Sequence, residues 1–334
     1  MTSVTGDSLL MSLLGFGCDA VSTMIESLSQ CGRWNAACSV FQPRRRPWLR
    51  LRMGLHWSTS ARRTTQLQGL RSVSPLSDWN SEQYLKFEAE RTQPSIDLAR
   101  RVKQVIPGPN IIADLGCGPG NSTTVLRRAF PESRLFGIDN SPNMIASAKK
   151  NHPGIEFLLG DVHHLHGRYD LMFSNACLQW IPGHRLLIPQ LMESLNPGGV
   201  LAVQIPMVEQ TPLFSIIYEV ANDPRWNLGD VLRGKNGTLQ PEEYFDILAA
   251  TSSDFTQWET TYYHRMPSAD ALVEWVKGAR MQRYIAALND RDESGKAAER
   301  FEQEVAWRVN SAYVPQANGE VILKFRRFFF IAKK

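Results

Sequence analysis

The chain has 334 residues, of which 43% are hydrophobic and 21% are charged, and its formal net charge is +4. This length allows two domains of ordinary size, and this composition is typical of a folded globular protein. No apolar run is long enough to cross a membrane, and the small charge surplus does not indicate a nucleic-acid partner. The five cysteines form neither a CxxC pair nor a metal-ligand spacing, so we expect a reducing compartment and no metal site.

Basic charge is concentrated in residues 1–77, which hold nine arginines, no lysine and three acidic residues, a net charge of +6. Residues 78–334 carry 28 basic and 30 acidic side chains, a net charge of −2. We interpret residues 1–77 as an Arg/Ser-rich extension that is disordered or serves in targeting, and residues 78–334 as the folded domain. Residues 53–77 contain arginines and hydroxyls but no acid, which favours mitochondrial import as the alternative to a cytoplasmic location.

Short β-rich runs alternate with helical segments after residue 77. The predicted strands occupy residues 110–115, 133–138, 155–159, 169–174 and 200–205, followed later by 256–264 and 321–332. The predicted helices occupy residues 122–129, 141–150, 184–195, 241–251 and 297–313. This alternation indicates an α/β fold with a doubly wound sheet, whose ligand lies beyond the carboxyl ends of the parallel strands.

A glycine-rich turn, ADLGCGPGNS at residues 113–122, follows the first predicted strand. Gly116, Gly118 and Gly120 leave no side chain between the backbone and a ligand, so we expect a ligand to approach closely. The spacing is GxGxG, not the GxGxxG of a dinucleotide site, and the carboxylate of Asp114 would repel a pyrophosphate. The same carboxylate suits a cationic ligand such as S-adenosylmethionine, which carries an ammonium and a sulfonium group.

Polar side chains follow the next three predicted strands and fit other parts of the same ligand. Asp139 ends the second strand, where a carboxylate can accept both hydroxyls of a ribose. Asp161 follows the third strand and is predicted to accept the adenine amine, and Asn175 follows the fourth strand. Each signal is weak alone, but their order along the chain predicts a site for S-adenosylmethionine.

This ordered set resembles the class I, Rossmann-like methyltransferases that use S-adenosylmethionine. Within that class, the trans-aconitate 2-methyltransferase family is resembled by residues 78–80 (DWN), 84–91, 178–180 (LQW), 260–268 and 325–329. The resemblance covers residues 78–334 and implies a final antiparallel strand, with acceptor-binding insertions at about 207–247 and 267–319. It also implies methyl transfer to a carboxylate of a small polycarboxylic acid, most directly trans-aconitate, giving the monomethyl ester.

An acceptor site rich in arginine is also implied, because a planar guanidinium pairs with a carboxylate through two hydrogen bonds. The implied acceptor-binding residues are Arg91, Trp180, Tyr263, His264, Arg283 and Arg327. Arg280 and Arg326 are interpreted as solvated charges on a helix and a strand edge. We assign no certain catalytic residue, because a carboxylate is already an anionic nucleophile at neutral pH and needs alignment more than deprotonation.

Several alternatives stay open. Residues 277–284 (KGARMQRY) depart from the Thr-Gly-Leu-Arg-Pro common in the family, which leaves room for another small acid as the acceptor. A natural-product hydroxyl would need a general base, for which His264 is the candidate. A non-catalytic scaffold that binds S-adenosylmethionine is the alternative from another class of protein, although the intact glycine turn argues against it. We expect a small-molecule substrate and no nucleic-acid, membrane or metal partner.

Overall fold

The computed structural model describes residues 87–209, 211–232, 237–292 and 294–334. The predicted extension over residues 1–77 lies outside them, so its role stays a prediction. The helices are α1 (Glu88–Val105), α2 (Asn121–Ala129), α3 (Pro142–Asn151), α4 (His184–Glu193), α5 (Pro212–Ala221), α6 (Gly229–Leu232), α7 (Pro241–Thr251), α8 (Ala269–Val276), α9 (Gln282–Asn289) and α10 (Lys296–Ala312). The strands are β1 (Ile111–Leu115), β2 (Arg134–Asp139), β3 (Glu156–Leu159), β4 (Tyr169–Asn175), β5 (Leu195–Met207), β6 (Asp254–Met266) and β7 (Val321–Lys333). None of these helices is long and apolar enough to span a bilayer.

All seven strands belong to one sheet in the order β3-β2-β1-β4-β5-β7-β6. The first five run parallel to one another, whereas β7 pairs antiparallel with β5 and β6 pairs antiparallel with β7. The direction of winding reverses between β1 and β4, which is where ligands bind in doubly wound sheets. The predicted α/β class is confirmed, and β6 joins the predicted final strand as a second antiparallel member.

Helices cover both faces of the sheet, and alternate residues of each central strand point to opposite faces. On one face, Ala113, Leu115 and Met172 pack with α4 and α7. On the other face, Ile112 and Phe173 pack with α1 and α2. Burial on both faces explains why the central strands read as continuous apolar runs in the sequence. Helix α7 therefore belongs to the layers around the sheet, although residues 241–247 of this helix fall within the first predicted insertion.

A second apolar core lies past the carboxyl end of β5. In the β5–β7 pairing Met207 is opposite Arg326, so residues 321–325 of β7 extend beyond the end of β5. Helices α5 and α8–α10 pack around this extension, and we call the assembly the cap. Between α8 and α9 the cap contains one π-helical turn, Lys277–Met281. Such turns are rare and are found mostly near functional sites.

Candidate active site

The glycine turn lies at the carboxyl end of β1 and leads into α2. Gly116 and Gly118 have φ angles of +69° and +54°, in the left-handed region that favours glycine. A Cβ atom on Gly116 would lie 2.1 Å from the Sγ atom of Cys177, whereas a Cβ atom on Gly118 would meet nothing within 4 Å. Packing therefore requires a glycine at 116, while the backbone at 118 faces open space that a ligand can enter.

Asp114 is fully buried beneath this turn, and its carboxylate links the end of β1 to α2 by hydrogen bonds. Its Oδ2 atom accepts hydrogen bonds from the hydroxyls of Ser122 and Thr123, each at 2.7 Å. Its Oδ1 atom has no hydrogen-bond partner within the described chain. Burial raises the pKa of Asp114 to about 6, although the two hydroxyls act in the opposite direction. A cationic group at Oδ1 would satisfy this atom and favour the ionised form, so the site fits an ammonium group.

The other predicted cofactor residues lie along the same edge of the sheet. Asp139, at the end of β2, accepts the backbone N–H of Gly118 on Oδ2 at 2.9 Å. Asp161 follows β3 and accepts the backbone N–H of His163, which lowers the pKa of this carboxyl. Asn175 ends β4, and its buried Oδ1 atom has no hydrogen-bond partner among the residues described. Because β1 to β4 are parallel and adjacent, these groups and Asp114 form one continuous polar edge, which we call the cofactor edge.

A pocket of about 610 Å³, part of it open to solvent, is lined by residues from the turn after β4, from the end of β5 and from β7. Helices α1, α5 and α8 and the π-turn supply other parts of its wall. Its large side chains include Arg91, Trp180, Phe214, Trp275, Arg280 and Arg327. Strand pairing explains the place of Arg327, which is in register with Pro206 of β5, another residue of the wall.

Aromatic rings support the arginines of this pocket. The guanidinium carbon of Arg91 lies 4.8 Å from the ring centre of Trp275, and its Nη2 atom donates to the Trp275 carbonyl at 2.8 Å. The guanidinium carbon of Arg280 lies 5.3 Å from the Trp180 ring and 5.7 Å from the Phe214 ring. Ring faces attract cations, so these contacts hold the arginines in place.

The pocket concentrates positive charge between apolar walls. Arg327 is only 4% exposed, and its guanidinium carbon lies 4.0 Å from the ring centre of Phe325. Burial, with a smaller contribution from the nearby charge of Arg283, lowers the pKa of Arg280 to about 10. Several guanidinium groups in one pocket create a positive electrostatic potential, which favours a polyanionic ligand.

His264 lies next to the pocket but is not part of its wall. Its ring stacks on Tyr262 with 5.9 Å between ring centres, and the Trp275 ring lies 5.3 Å away. Burial, together with the charge of Arg327, lowers the pKa of His264 to about 4. The imidazole is therefore neutral at physiological pH. Tyr262 in turn donates a hydrogen bond to Asp97 of α1 at 2.7 Å, which ties β6 to the helix that carries Arg91.

The structure brings Arg91, Trp180 and Arg327 together, but it places two other predicted acceptor residues elsewhere. Tyr263 is 62% exposed, because it points to the opposite side of β6 from its neighbours at 262 and 264. The Nη2 atom of Arg283 donates to the Tyr284 hydroxyl at 2.9 Å, and the side chain is not part of the pocket wall.

Sequence reasoning missed Arg280, which was interpreted as a solvated charge and instead lines the pocket. The π-turn that carries it has more residues per turn than an α-helix, so helical periodicity places this side chain wrongly. A usable signal exists in the sequence, since Arg280 falls at the arginine of the Thr-Gly-Leu-Arg-Pro pattern. Trp275 was missed for another reason, because helix α8 was not predicted.

The fold and the cofactor edge define a class I methyltransferase, with S-adenosylmethionine as its cofactor. Residues 112–199 match the family model described as a methyltransferase domain. The chain is 38% identical over 261 residues to trans-aconitate 2-methyltransferase of Escherichia coli strain ATCC 8739, covering 78% of this chain and 99% of that protein. The protein of the same name from Acidovorax ebreus strain TPSY is also 38% identical over 261 residues, covering 77% and 98%. The chain belongs to the trans-aconitate 2-methyltransferase family.

The residues present fit S-adenosylmethionine. The unsatisfied Oδ1 atom of Asp114 would accept an ammonium group, and the backbone at Gly118 is open to a ligand. Asp139, which is bonded to the glycine turn, would accept the hydroxyls of a ribose. Within the described ranges, no group of three or more His, Cys, Asp or Glu side chains is arranged to hold a metal ion.

Proposed function

We propose that this protein transfers a methyl group from S-adenosylmethionine to a carboxylate of a small polycarboxylic acid, most directly trans-aconitate. The observation that carries the proposal is the presence of Arg91, Arg280 and Arg327 in one pocket beside the cofactor edge. Three guanidinium groups complement the charge of a tricarboxylate, and each can form a bidentate pair with a carboxylate. The names of the E. coli and A. ebreus relatives support the same acceptor.

The pocket residues would act by binding and orientation. S-adenosylmethionine supplies the methyl group, which moves to a carboxylate oxygen while the electron pair of the broken carbon–sulfur bond stays on sulfur. An acid with a pKa near 4 is already ionised at neutral pH, so the chain needs no general base. Charge is neutralised in this step, so the apolar walls formed by Trp180, Phe214 and Trp275 favour it by excluding water.

The arginines are best suited to the carboxylates that do not react. A carboxylate held by a guanidinium is strongly stabilised, and stabilising the nucleophile in the ground state raises the barrier to methyl transfer. We therefore propose that Arg91, Arg280 and Arg327 hold the spectator carboxylates, and that a weaker donor holds the reacting one.

A hydroxyl acceptor is less well supported than a carboxylate. Such an acceptor needs a base near the attacking oxygen, and His264 was the candidate. With a pKa near 4, His264 is a weak proton acceptor, and it is not part of the pocket wall.

An acceptor screen tests the proposal. Purified protein and isotope-labelled cofactor are incubated with trans-aconitate, cis-aconitate, itaconate and citrate, and methylated products are identified by mass spectrometry. We expect the highest kcat/KM for trans-aconitate and a product that mild alkali hydrolyses, since esters but not ethers are cleaved. Alkali-stable products would support a hydroxyl acceptor, and tight binding of S-adenosylhomocysteine without turnover of any acid would support the scaffold alternative.

Location remains a separate proposal. We propose a cytoplasmic protein, with mitochondrial import through residues 53–77 as the alternative. A fluorescent reporter fused to residues 1–77 or to residues 53–77 distinguishes the two, because only the import peptide concentrates the reporter in mitochondria.

A further inference from the structure

Strand β5 carries a buried glutamine whose side-chain amide makes no hydrogen bond to any described residue. Gln204 is 0% exposed, and both its Oε1 and Nε2 atoms are buried without a partner. An unsatisfied buried amide costs folding free energy, and native structures rarely keep one without a reason. The neighbouring positions on this strand are apolar, so an apolar side chain would suit this place better if stability alone mattered.

Gln204 lies between the cofactor edge and the arginine pocket. The β4–β5 pairing places Asn175 directly opposite Gln204, and the β5–β7 pairing places Phe329 on its other side. Two residues further along β5, Pro206 lines the pocket and is in register with Arg327. Residues that are paired across strands, or two apart along one strand, share a face of the sheet. The Gln204 side chain therefore lies on the same face as Asn175 and Arg327, between the two, although it is not itself part of the pocket wall.

Two more side-chain amides with an unsatisfied oxygen lie in this region. The Oδ1 atom of Asn175 and the Oε1 atom of Gln179 are both buried without a hydrogen-bond partner in the described ranges. Gln179 lines the pocket, and its Nε2 atom donates to the carbonyl of Ala176 at 2.6 Å. Three neutral amides therefore lie around the end of β4: Asn175 ends the strand, Gln204 is paired with it, and Gln179 lines the pocket.

Building on the proposed function, we propose that Gln204 binds the reacting carboxylate of the acceptor, with Nε2 donating to the oxygen that does not take the methyl group. A neutral amide forms a weaker hydrogen bond to a carboxylate than a guanidinium does, so it orients the group while leaving the attacking oxygen nucleophilic. That oxygen forms the bond to the methyl carbon, the electron pair of the carbon–sulfur bond leaves with sulfur, and no proton moves. Gln204 thereby selects which carboxylate is methylated.

Gln204→Leu tests this role, with Gln257→Leu as the matched control. Gln257 lies on edge strand β6, and it too has a buried, unsatisfied Oε1 atom, while its Nε2 atom donates to the Pro241 carbonyl at 3.2 Å. For Gln204→Leu we expect kcat with trans-aconitate to fall on the order of 10- to 100-fold through loss of alignment. The KM and the Kd for S-adenosylhomocysteine should stay within about threefold, and the Tm should rise by about 2–4 °C. Gln257→Leu should leave kcat unchanged.

The ester produced provides a second measurement. In Gln204→Leu the reacting carboxylate is no longer selected, so we expect a mixture of monomethyl esters by NMR where the wild type gives one. If Gln204→Leu does not fold, Gln204→Met keeps the unbranched shape and carries the same expectations.

Each other outcome overturns the inference in a recognisable way. An unchanged kcat would show that Gln204 does not touch the acceptor. A Kd for S-adenosylhomocysteine weakened more than tenfold would assign Gln204 to the cofactor, and a lowered Tm together with a lowered kcat would make it a structural residue. If the wild type methylates none of the acids although it binds S-adenosylhomocysteine, the proposed function and this inference both fail.

Discussion

The backbone N–H of Gly118 donates a hydrogen bond to the Oδ2 atom of Asp139 at 2.9 Å. This bond joins the turn after β1 to the end of β2, so the carboxylate proposed to bind the ribose also fixes the shape of the glycine turn. Each carboxylate oxygen can accept two hydrogen bonds. Asp139 can therefore hold the turn and accept ribose hydroxyls at the same time.

Gly118→Ala should separate ligand binding from folding. The new Cβ would point into open space, and the left-handed backbone would cost about 1–2 kcal/mol for alanine. We expect the Kd for S-adenosylhomocysteine, measured by calorimetry, to rise at least about tenfold, while the Tm falls by only a few degrees. Gly116→Ala is the comparison, because its Cβ would collide with Cys177 and should lower the Tm much more. If Gly118→Ala bound S-adenosylhomocysteine with the wild-type Kd, the cofactor would not bind against the backbone at Gly118.

Cofactor affinity should depend on pH through Asp114. Its pKa is raised to about 6, chiefly by burial, so the free protein holds a proton on this carboxyl below pH 6 and loses it above. We propose that the ammonium group of the cofactor binds the ionised form of this carboxyl group. Affinity for S-adenosylhomocysteine should therefore be constant above about pH 7 and weaken by up to about tenfold per pH unit well below pH 6.

Proton release measures the same linkage directly. Calorimetry at pH 5.5 in two buffers with different ionisation enthalpies should show that binding releases a proton from Asp114. An affinity that stays flat down to pH 5, with no proton release, would contradict the assignment of Asp114 to the ammonium group.

Arg327→Met should impair acceptor binding. Methionine replaces the buried guanidinium with an apolar side chain, and losing a paired buried charge typically costs about 2–3 kcal/mol or more, which is on the order of 30- to 150-fold in KM. The Kd for S-adenosylhomocysteine should hardly change. Arg326→Met is the control, because this neighbour is on the opposite face of β7 and pairs with Glu259 at 3.6 Å. Equal effects of the two substitutions on KM would exclude Arg327 from the acceptor site.

Tyr244→Phe should loosen the turn that carries Trp180. The Tyr244 hydroxyl donates to Nδ1 of His184 at 2.5 Å, and Nε2 of His184 donates to the Leu178 carbonyl at 2.8 Å. Losing the hydroxyl leaves a buried ring nitrogen unsatisfied, which costs about 1–3 kcal/mol. We expect the Tm to fall by roughly 2–4 °C per kcal/mol and the acceptor KM to rise severalfold.

The control for this prediction is Tyr218→Phe, because Tyr218 is 56% exposed and the loss of its hydroxyl should leave both Tm and KM unchanged. Combining Tyr244→Phe with a His184 substitution in a double-mutant cycle isolates the energy of the pair. Additive effects in that cycle would show that the two side chains do not act together.

The cofactor edge could be predicted from the sequence because its signals are local. Gly116 and Asp139 each stand at the end of an apolar run, and parallel strands bring such ends to one edge of the sheet whatever the rest of the chain does. Alternating patterns therefore predicted the five parallel strands and the place of the ligand, and the structure confirms the strands. The start of β5 at Leu195 was missed, since the Pro-Gly-Gly that follows it reads as a turn.

The arginine pocket could not be predicted from sequence patterns in the same way. Arg91, Arg280 and Arg327 come from α1, the π-turn and β7, and their meeting depends on how the cap packs on the sheet. Helices α1, α5, α8 and α9 were not predicted, and Arg280 lies outside ordinary helical periodicity. Gln204 was missed because sequence gives no sign that a polar residue in an apolar strand will be buried without a partner.

The cap and the sheet have separate apolar cores, and β7 belongs to both. The predicted cofactor residues thus lie within residues 114–175, while two arginines of the proposed acceptor pocket belong to later segments, the π-turn and β7. Substitutions in α5 or α8–α10 can consequently change the acceptor without disturbing the donor site. Because α1, β5 and β7 complete the pocket wall, a change of acceptor made in the cap alone would keep Arg91 and Arg327 in place.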